Sequence, residues 1–221
     1  MSVVTAPAPE QRFVWYQLSW DQYEALLRAL GDRRLRHTYV EGALEIVSPS
    51  MDHESSKSVL GDFVVTLCRV LRLPRKSIGS TTMKKMRWRR GLEPDEGFYV
   101  GEESVRQMQS RREYEPDRDP PPDLIVEIDI TSSSEDRIEF YRRLKVAEVW
   151  RYADETVHFY GLMQNGRYRK LKRSRLFPLL TSDELTRFLA LRDTMDDTEL
   201  DLEFEKWVRT QVKRANETSD E

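Results

Sequence analysis

The chain has 221 residues, with 36 Lys and Arg against 39 Asp and Glu, a formal net charge of −3 and 38% hydrophobic residues, of which one is cysteine. The length suits one domain with a sizeable core; the periodic apolar runs argue against global disorder, and no stretch approaches the ~18 apolar residues of a membrane span. Cys68 alone permits neither an intramolecular disulfide nor a cysteine zinc site, and near charge balance argues against coating nucleic acid by charge alone while leaving room for a local basic groove. Met1 to Pro9 has neither the basic start nor the apolar segment of a secretory leader, so a reducing cytoplasm is the expected compartment.

Residues 1–12 read as a flexible lead-in, 13–192 as the main domain, and 193–221 as a C-terminal helix and polar tail. Ser19 to Gln22 has capping-box spacing, Tyr23, Leu26, Leu27 and Leu30 follow at helical intervals, and Gly31 offers a left-handed stop. Arg36 to Val40 and Ala43 to Val47 flank Glu41-Gly42 and predict a hairpin. Asp52 is the candidate cap of a helix with a stripe of Val59, Leu60, Phe63, Val64, Leu67 and Leu71, and Glu54 lies in its first turn. Short strands are expected at Ser77 to Met83 and Lys85 to Arg89, broken at Gly91, then at Gly97 to Val100. Glu102 to Pro122 reads as a surface loop with one helical turn. Leu124 to Ile130 is the clearest strand, and Thr131 to Asp136 offers caps for a helix holding Ile138, Tyr141 and Leu144. Strands at Glu148 to Tyr152, Thr156 to Leu162 and Tyr168 to Leu171 precede a second capping box, Thr181 to Glu184, and helices around Leu185 and Leu200. This order of elements describes an α/β or α+β single domain.

The acids of the clearest strand are its anomaly. Alternation places Asp123, Ile125, Glu127 and Asp129 on one face and Leu124, Val126, Ile128 and Ile130 on the other, which is core. Glu127 and Asp129 are then about 7 Å apart along the strand, and buried carboxylates need a proton, a cationic side chain or a metal. Two readings follow: a solvated face with surface salt bridges, or a divalent-cation site in which Asp95, after Pro94, converges with Glu127. Mg²⁺ suits the second, since it prefers hard oxygens and takes few protein carboxylates.

Tyr39-Val40-Glu41-Gly42-Ala43-Leu44-Glu45-Ile46-Val47-Ser48-Pro49, His53-Glu54, Glu93-Pro94-Asp95, Pro122 to Thr131 and Glu148 to Tyr152, in this order, resemble the Uma-two family of bacterial endonucleases, placed in the PD-(D/E)XK superfamily. The resemblance runs from about Ser19 to about Leu189. It implies an α/β, restriction-endonuclease-like mixed sheet flanked by helices, and Mg²⁺- or Mn²⁺-dependent hydrolysis of DNA phosphodiesters. Asp95 and Glu127 match the metal-binding acids, the Ile128 carbonyl a further ligand, and Glu54 an accessory acid. Where the superfamily signature has Lys, this chain has Asp129, and the basic residue would be Arg137 in the following helix. Arg stays charged at any working pH and is a poor general base. Arg137 can instead orient water, balance Asp129 or hold a phosphate, or else pair with Glu135 or Glu139 on a helix surface. Lys145 is the fallback cation.

Lys84, Lys85, Arg87, Arg89 and Arg90 form a basic run that could line a groove for phosphates, with Trp88 stacking on a base; the other reading is a solvated strand face. Arg167 to Arg175 is a second such run. His37 and His158 read as structural, His53 either as a helper of Glu54 or as a plain helix-start histidine, and Tyr141, Trp150 and Tyr152 as core. The leading expectation is a DNA endonuclease, in which Asp95→Ala or Glu127→Ala abolishes cleavage and leaves the melting temperature unchanged or slightly raised. Its rivals are a catalytically weak or inactive nuclease-fold module that binds nucleic acid or a protein partner, and an interaction domain that binds neither DNA nor metal. The resemblance also implies a homodimer, with two sites for two strands.

Overall fold

The computed structural model describes residues 11–31, 35–130 and 135–217. The first half of the chain forms β1 (Gln11–Trp15), α1 (Trp20–Leu30), β2 (Arg36–Val40), β3 (Ala43–Ser48), α2 (Met51–Leu71), β4 (Arg75–Ser77), β5 (Met83–Lys85), β6 (Arg90–Leu92), β7 (Glu96–Val100) and α3 (Glu102–Met108). The second half forms β8 (Leu124–Asp129), α4 (Glu135–Leu144), β9 (Glu148–Ala153), β10 (Thr156–Leu162), β11 (Tyr168–Leu171), α5 (Ser182–Ala190) and α6 (Asp197–Glu217). Two sheets result, one in the order β1-β3-β2-β6-β5 and one in the order β11-β10-β9-β8-β7-β4. Among the described residues only β8 and β9 pair in parallel, and α4 lies in the crossover between them, the connection that parallel neighbours require. The architecture is a mixed α/β single domain.

Local chemistry accounts for most boundaries. Ser19 and Gln22 form the expected capping box of α1, and Gly31 closes that helix at φ 57°. Glu41 and Gly42, both at positive φ, make the two-residue turn of the β2–β3 hairpin, whose twist suits such turns. The cap of α2 is Ser50, which accepts from the His53 amide, and not Asp52; the latter, one position into the helix, pairs with Arg192 at 3.0 Å. The expected strands over 77–83 and 85–89 are replaced by β4, β5, a 3-10 turn at Met86–Trp88 and β6. Gly91 does not break a strand but sits inside β6, where a Cβ would overlap the Tyr23 hydroxyl; glycine serves close packing there. Gln11 and Arg12, expected in the lead-in, belong to β1, which pairs with β3 while all five of its residues stay exposed. Backbone pairing without side-chain burial leaves no periodic signal. The proposed caps at 131–134 lie outside the described residues.

Strand β8 is the centre of the larger sheet and is buried on both faces. Leu124, Val126 and Ile128 pack with α2, α5 and α6, while Ile125 joins Phe140, Tyr141 and Leu144 of α4 and Val149 of β9. A strand covered on both sides reads as a continuous apolar run, which is why the face holding Ile125 and Glu127 is not the solvated one. Leu200, Phe204 and Val208 of α6 lie in the same core cluster as α2, and Phe204 meets Phe63 at 4.2 Å between ring centroids. α1 covers the smaller sheet through Tyr23, whose ring stacks on Tyr39 at 4.5 Å. Among the described residues, no helix is long and apolar enough to cross a membrane.

Candidate active site

The turn between β6 and β7 delivers the first acid. Glu93 is pinned by Thr82 Oγ1 at 2.8 Å and lies 3.4 Å from His37 Nδ1, while His37 Nε2 meets the Tyr23 hydroxyl at 2.8 Å. Pro94 fixes the next φ, and Asp95 follows at the mouth of β7. β7 and β8 pair antiparallel with Glu96 opposite Val126, so the register carried one step further sets Asp95 opposite Glu127, on one face of the sheet. The Ile128 amide donates to Asp95 Oδ2 at 2.7 Å.

Both carboxylates are almost fully buried, Asp95 at 1% and Glu127 at 0% exposure. One guanidinium answers both: Arg36 Nε lies 2.9 Å from Asp95 Oδ1, and Arg36 Nη2 lies 3.3 Å from Glu127 Oε2. Arg137 donates to Glu127 Oε1 at 3.0 Å and also to the Glu93 carbonyl. Tyr141, one helical turn beyond Arg137 on the same face, donates to the same Glu127 oxygen. His53 Nε2 sits 2.6 Å from Arg36 Nη1 and 3.2 Å from Asp95 Oδ1. The nearer guanidinium can only donate, so Nε2 accepts, and the ring proton belongs on Nδ1, facing Glu54 Oε1 at 3.3 Å.

Burial is the largest influence on the Asp95 carboxyl and would raise it, but the Arg36 guanidinium, His53 and Arg137 together outweigh burial and hold it down to about 2. Burial, reinforced by the charge of Asp95, pushes Glu127 up against the pull of Arg137 and Arg36. Arg137 is itself raised, because Glu127, Tyr141 and Asp95 together more than offset the desolvation of its charge, the largest single influence. The two acids and two arginines sum to no net charge, as a buried cluster requires.

The expected site residues separate. Asp95, Glu127 and Arg137 converge. The surface reading of Arg137 is corrected: it is buried on Glu127, and Glu139 takes Arg142 and Arg143 instead. Asp129 accepts from Arg151 at 2.7 Å. Glu54 is half-exposed and contacts His53 and Lys57, so it reaches the acids only by way of His53. Lys145 is exposed, just past the end of α4. The expectation that an alanine at Asp95 or Glu127 leaves stability untouched does not survive this geometry, since each would strand a buried guanidinium. Arg36 was missed, and its only trace in the sequence is a charged residue opening a strand. Tyr141, read as core, is core with a hydroxyl aimed at Glu127.

The basic run is divided among the end of β5, the 3-10 turn and β6. Lys84 pairs with Glu24 at 2.8 Å, buried Lys85 with Asp117 at 3.2 Å, and Arg90 with Glu41 at 3.3 Å. Arg87 and Arg89 are exposed. Trp88, between them, meets Phe140 of α4 edge-on at 5.9 Å, which ties this turn to the helix that carries Arg137. In the second run, Arg173 and Arg175 donate to the carbonyls of Pro178 and Leu162.

Among the described residues, no three His, Cys, Asp or Glu side chains form a ready metal cage. Two carboxylates are nonetheless enough for a cation that keeps several waters. Asp95 Oδ1 is buried without an aligned hydrogen bond, and a guanidinium already bridges one oxygen from each acid. The donor set therefore fits a hard divalent cation.

A mixed sheet with a buried acid from each of two adjacent strands, and a parallel crossover whose helix supplies Arg137, defines a restriction-endonuclease-like α/β protein. The Uma2 family model, described as "Putative restriction endonuclease", matches residues 20–194, and the chain belongs to that family. A solved structure titled as a "putative nuclease belonging to DUF820", from Anabaena variabilis, is similar in fold at a TM-score of 0.51, with 16% identity over 78% of this chain and 99% of that one. No curated protein matches the sequence.

Proposed function

We propose that this protein is a metal-dependent endonuclease that hydrolyses DNA phosphodiester bonds, with Asp95 and Glu127 as the acids that take Mg²⁺ or Mn²⁺. The observation that carries the reading is that two buried carboxylates from neighbouring strands share one cationic group. Asp95 Oδ1 and Glu127 Oε2 would be ligands, with the Ile128 carbonyl as a further oxygen. An ion held there supplies positive charge against the charge that builds on the phosphate, and makes water more acidic.

The chain's own side chains divide the remaining work. Arg137 stays positive at every working pH, so it holds Glu127 in place and can orient a phosphate oxygen or a water, but it does not remove a proton. Tyr141 fixes the direction of the Glu127 carboxylate. Glu54 acts through His53 or through a water, and Asp129 with Arg151 sets the charge further along β8. Exposed Arg89, and Arg87 from its exposed pair with Asp117 at 3.6 Å, can meet the DNA backbone, while Lys84, Lys85 and Arg90 shape the turn that presents them. A homodimer would pair two such sites for two strands.

The test is cleavage of supercoiled duplex DNA with Mg²⁺ or Mn²⁺ against EDTA. Wild type is expected to cut only with metal, and Asp95→Asn and Glu127→Gln are expected not to cut while keeping wild-type circular dichroism. Cutting that ignores EDTA, or that persists in Glu127→Gln, overturns the reading. Duplex binding without metal uptake would make the protein a nuclease-fold binding module instead.

A further inference from the structure

We propose that Arg36 is a displaceable internal counter-ion: its guanidinium occupies the position between Asp95 and Glu127, and a divalent cation enters only as that guanidinium leaves. The inference rests on the reading of these two acids as metal ligands and concerns how the site is kept in the absence of metal.

The geometry supplies the first reason. Arg36 reaches Asp95 Oδ1 with Nε and Glu127 Oε2 with Nη2, the same pair of oxygens a shared cation would use. Charge supplies the second. Asp95 and Glu127 are already balanced by Arg36 and Arg137, and all four side chains are at most 10% exposed. A divalent ion added to this set would leave two uncompensated positive charges out of water, which is strongly unfavourable. Release of one arginine removes half of that excess and opens the ligand oxygens together.

The contacts identify which arginine moves. Arg137 is tied to Glu127 and, through a second acceptor, to the Glu93 carbonyl. Arg36 approaches Asp95 without hydrogen-bond alignment, so that both its Nε and Asp95 Oδ1 lack a partner, and its bond to Glu127 is long at 3.3 Å. Its aligned short contact is to His53 Nε2 at 2.6 Å, a partner that lies beside Asp95 Oδ1 at 3.2 Å and can keep the guanidinium near the site after it leaves the acids. Arg36 is also the first residue of β2, where its side chain can swing without unpairing the strand.

The experiment is Mn²⁺ titration of the full chain at pH 8, without nucleic acid, read by the loss of free-Mn²⁺ electron paramagnetic resonance signal. Arg36→Gln is expected to bind Mn²⁺ on the order of tenfold to a hundredfold more tightly than wild type, because a competing charge is gone. Arg36→Lys, which keeps the charge but cannot bridge both oxygens, is expected to fall between them, and Arg36→Gln with Glu127→Gln is expected to lose the site. Equal or weaker binding by Arg36→Gln overturns the proposal; if that binding still disappears with Glu127→Gln, the metal reading stands without the displacement. No Mn²⁺ uptake by any variant removes both. Should Arg36→Gln not fold, ¹⁵N-arginine spectra of wild type decide the matter: the Arg36 Nε–H signal is expected to lose its protection on Mg²⁺ addition, and an unchanged signal overturns the proposal.

Discussion

The Asp95–Glu127 cluster and the seam between α2 and α6 are built from the same residue types and behave differently. In the seam, Arg69 meets Glu205 at 2.6 Å and Asp201 at 3.6 Å, but its side chain is 53% exposed. Thr66 also donates to Asp201, and Asp62 nearby is pushed up by partial burial and by the charges of Asp201 and Asp197. At the acid pair, the corresponding side chains are 0–10% exposed. Water screens each seam charge whether or not its partner is present, so each pair contributes little. In the cluster each charge depends on the others, because solvent cannot replace a lost partner. Exposure, and not the length of an ion pair, therefore separates a structural ornament from a site where charge is held ready for use.

The comparison is sharpened most by Arg137→Ala, which is expected to lower the free energy of unfolding by about 3–5 kcal/mol in urea melts at pH 8, where Glu127, deprived of its buried cation, must either stay charged out of water or take up a proton. A change as small as that of a surface pair would break the distinction drawn above. Glu127→Ala is expected to cost nearly as much, and Glu127→Gln clearly less, since the amide oxygen can still accept from Arg137 and Tyr141; equal losses in the two variants would show that those bonds do not matter.

The pH dependence comes next in size and has two signs. Asp95, held at about 2 against an ordinary 3.8, contributes stability that is present above 3.8 and lost as pH falls through 2. Wild type should therefore lose roughly 2 kcal/mol relative to Asp95→Asn between pH 5 and pH 2. Glu127 is raised, first by burial, and contributes in the opposite sense: its share is full below 4.5 and declines as pH rises through its folded value. Glu127→Gln should flatten that decline, and an unaltered pH profile would mean that Glu127 is no more buried than the seam acids. The smallest expected effect is Arg69→Ala, below about 1 kcal/mol and smaller still at high salt; a loss equal to that of Arg137→Ala would erase the contrast.

Much of the fold was legible because its causes are local. The Ser19 box, the Glu41-Gly42 turn, the stripe of α2 and the apolar run of β8 each depend on neighbours a few positions away. Asp95 and Glu127 stood out because carboxylates in such surroundings demand compensation. What escaped was long-range or unpatterned: β1, paired without burial; the basic run, folded into a turn; and the identity of the compensating cations.

From the order of its residues alone, the chain determined most of its helices and its longer strands, among them the strand that carries Glu127, the acid that follows Pro94 and its likeness to a nuclease family. The tertiary structure decided that both acids are closed off from water and that Arg36, 91 positions from Glu127 in sequence, lies between them. Helix and strand periodicity arise from backbone geometry over a few residues, whereas the counter-charge of a buried group is chosen by whichever element packs beside it.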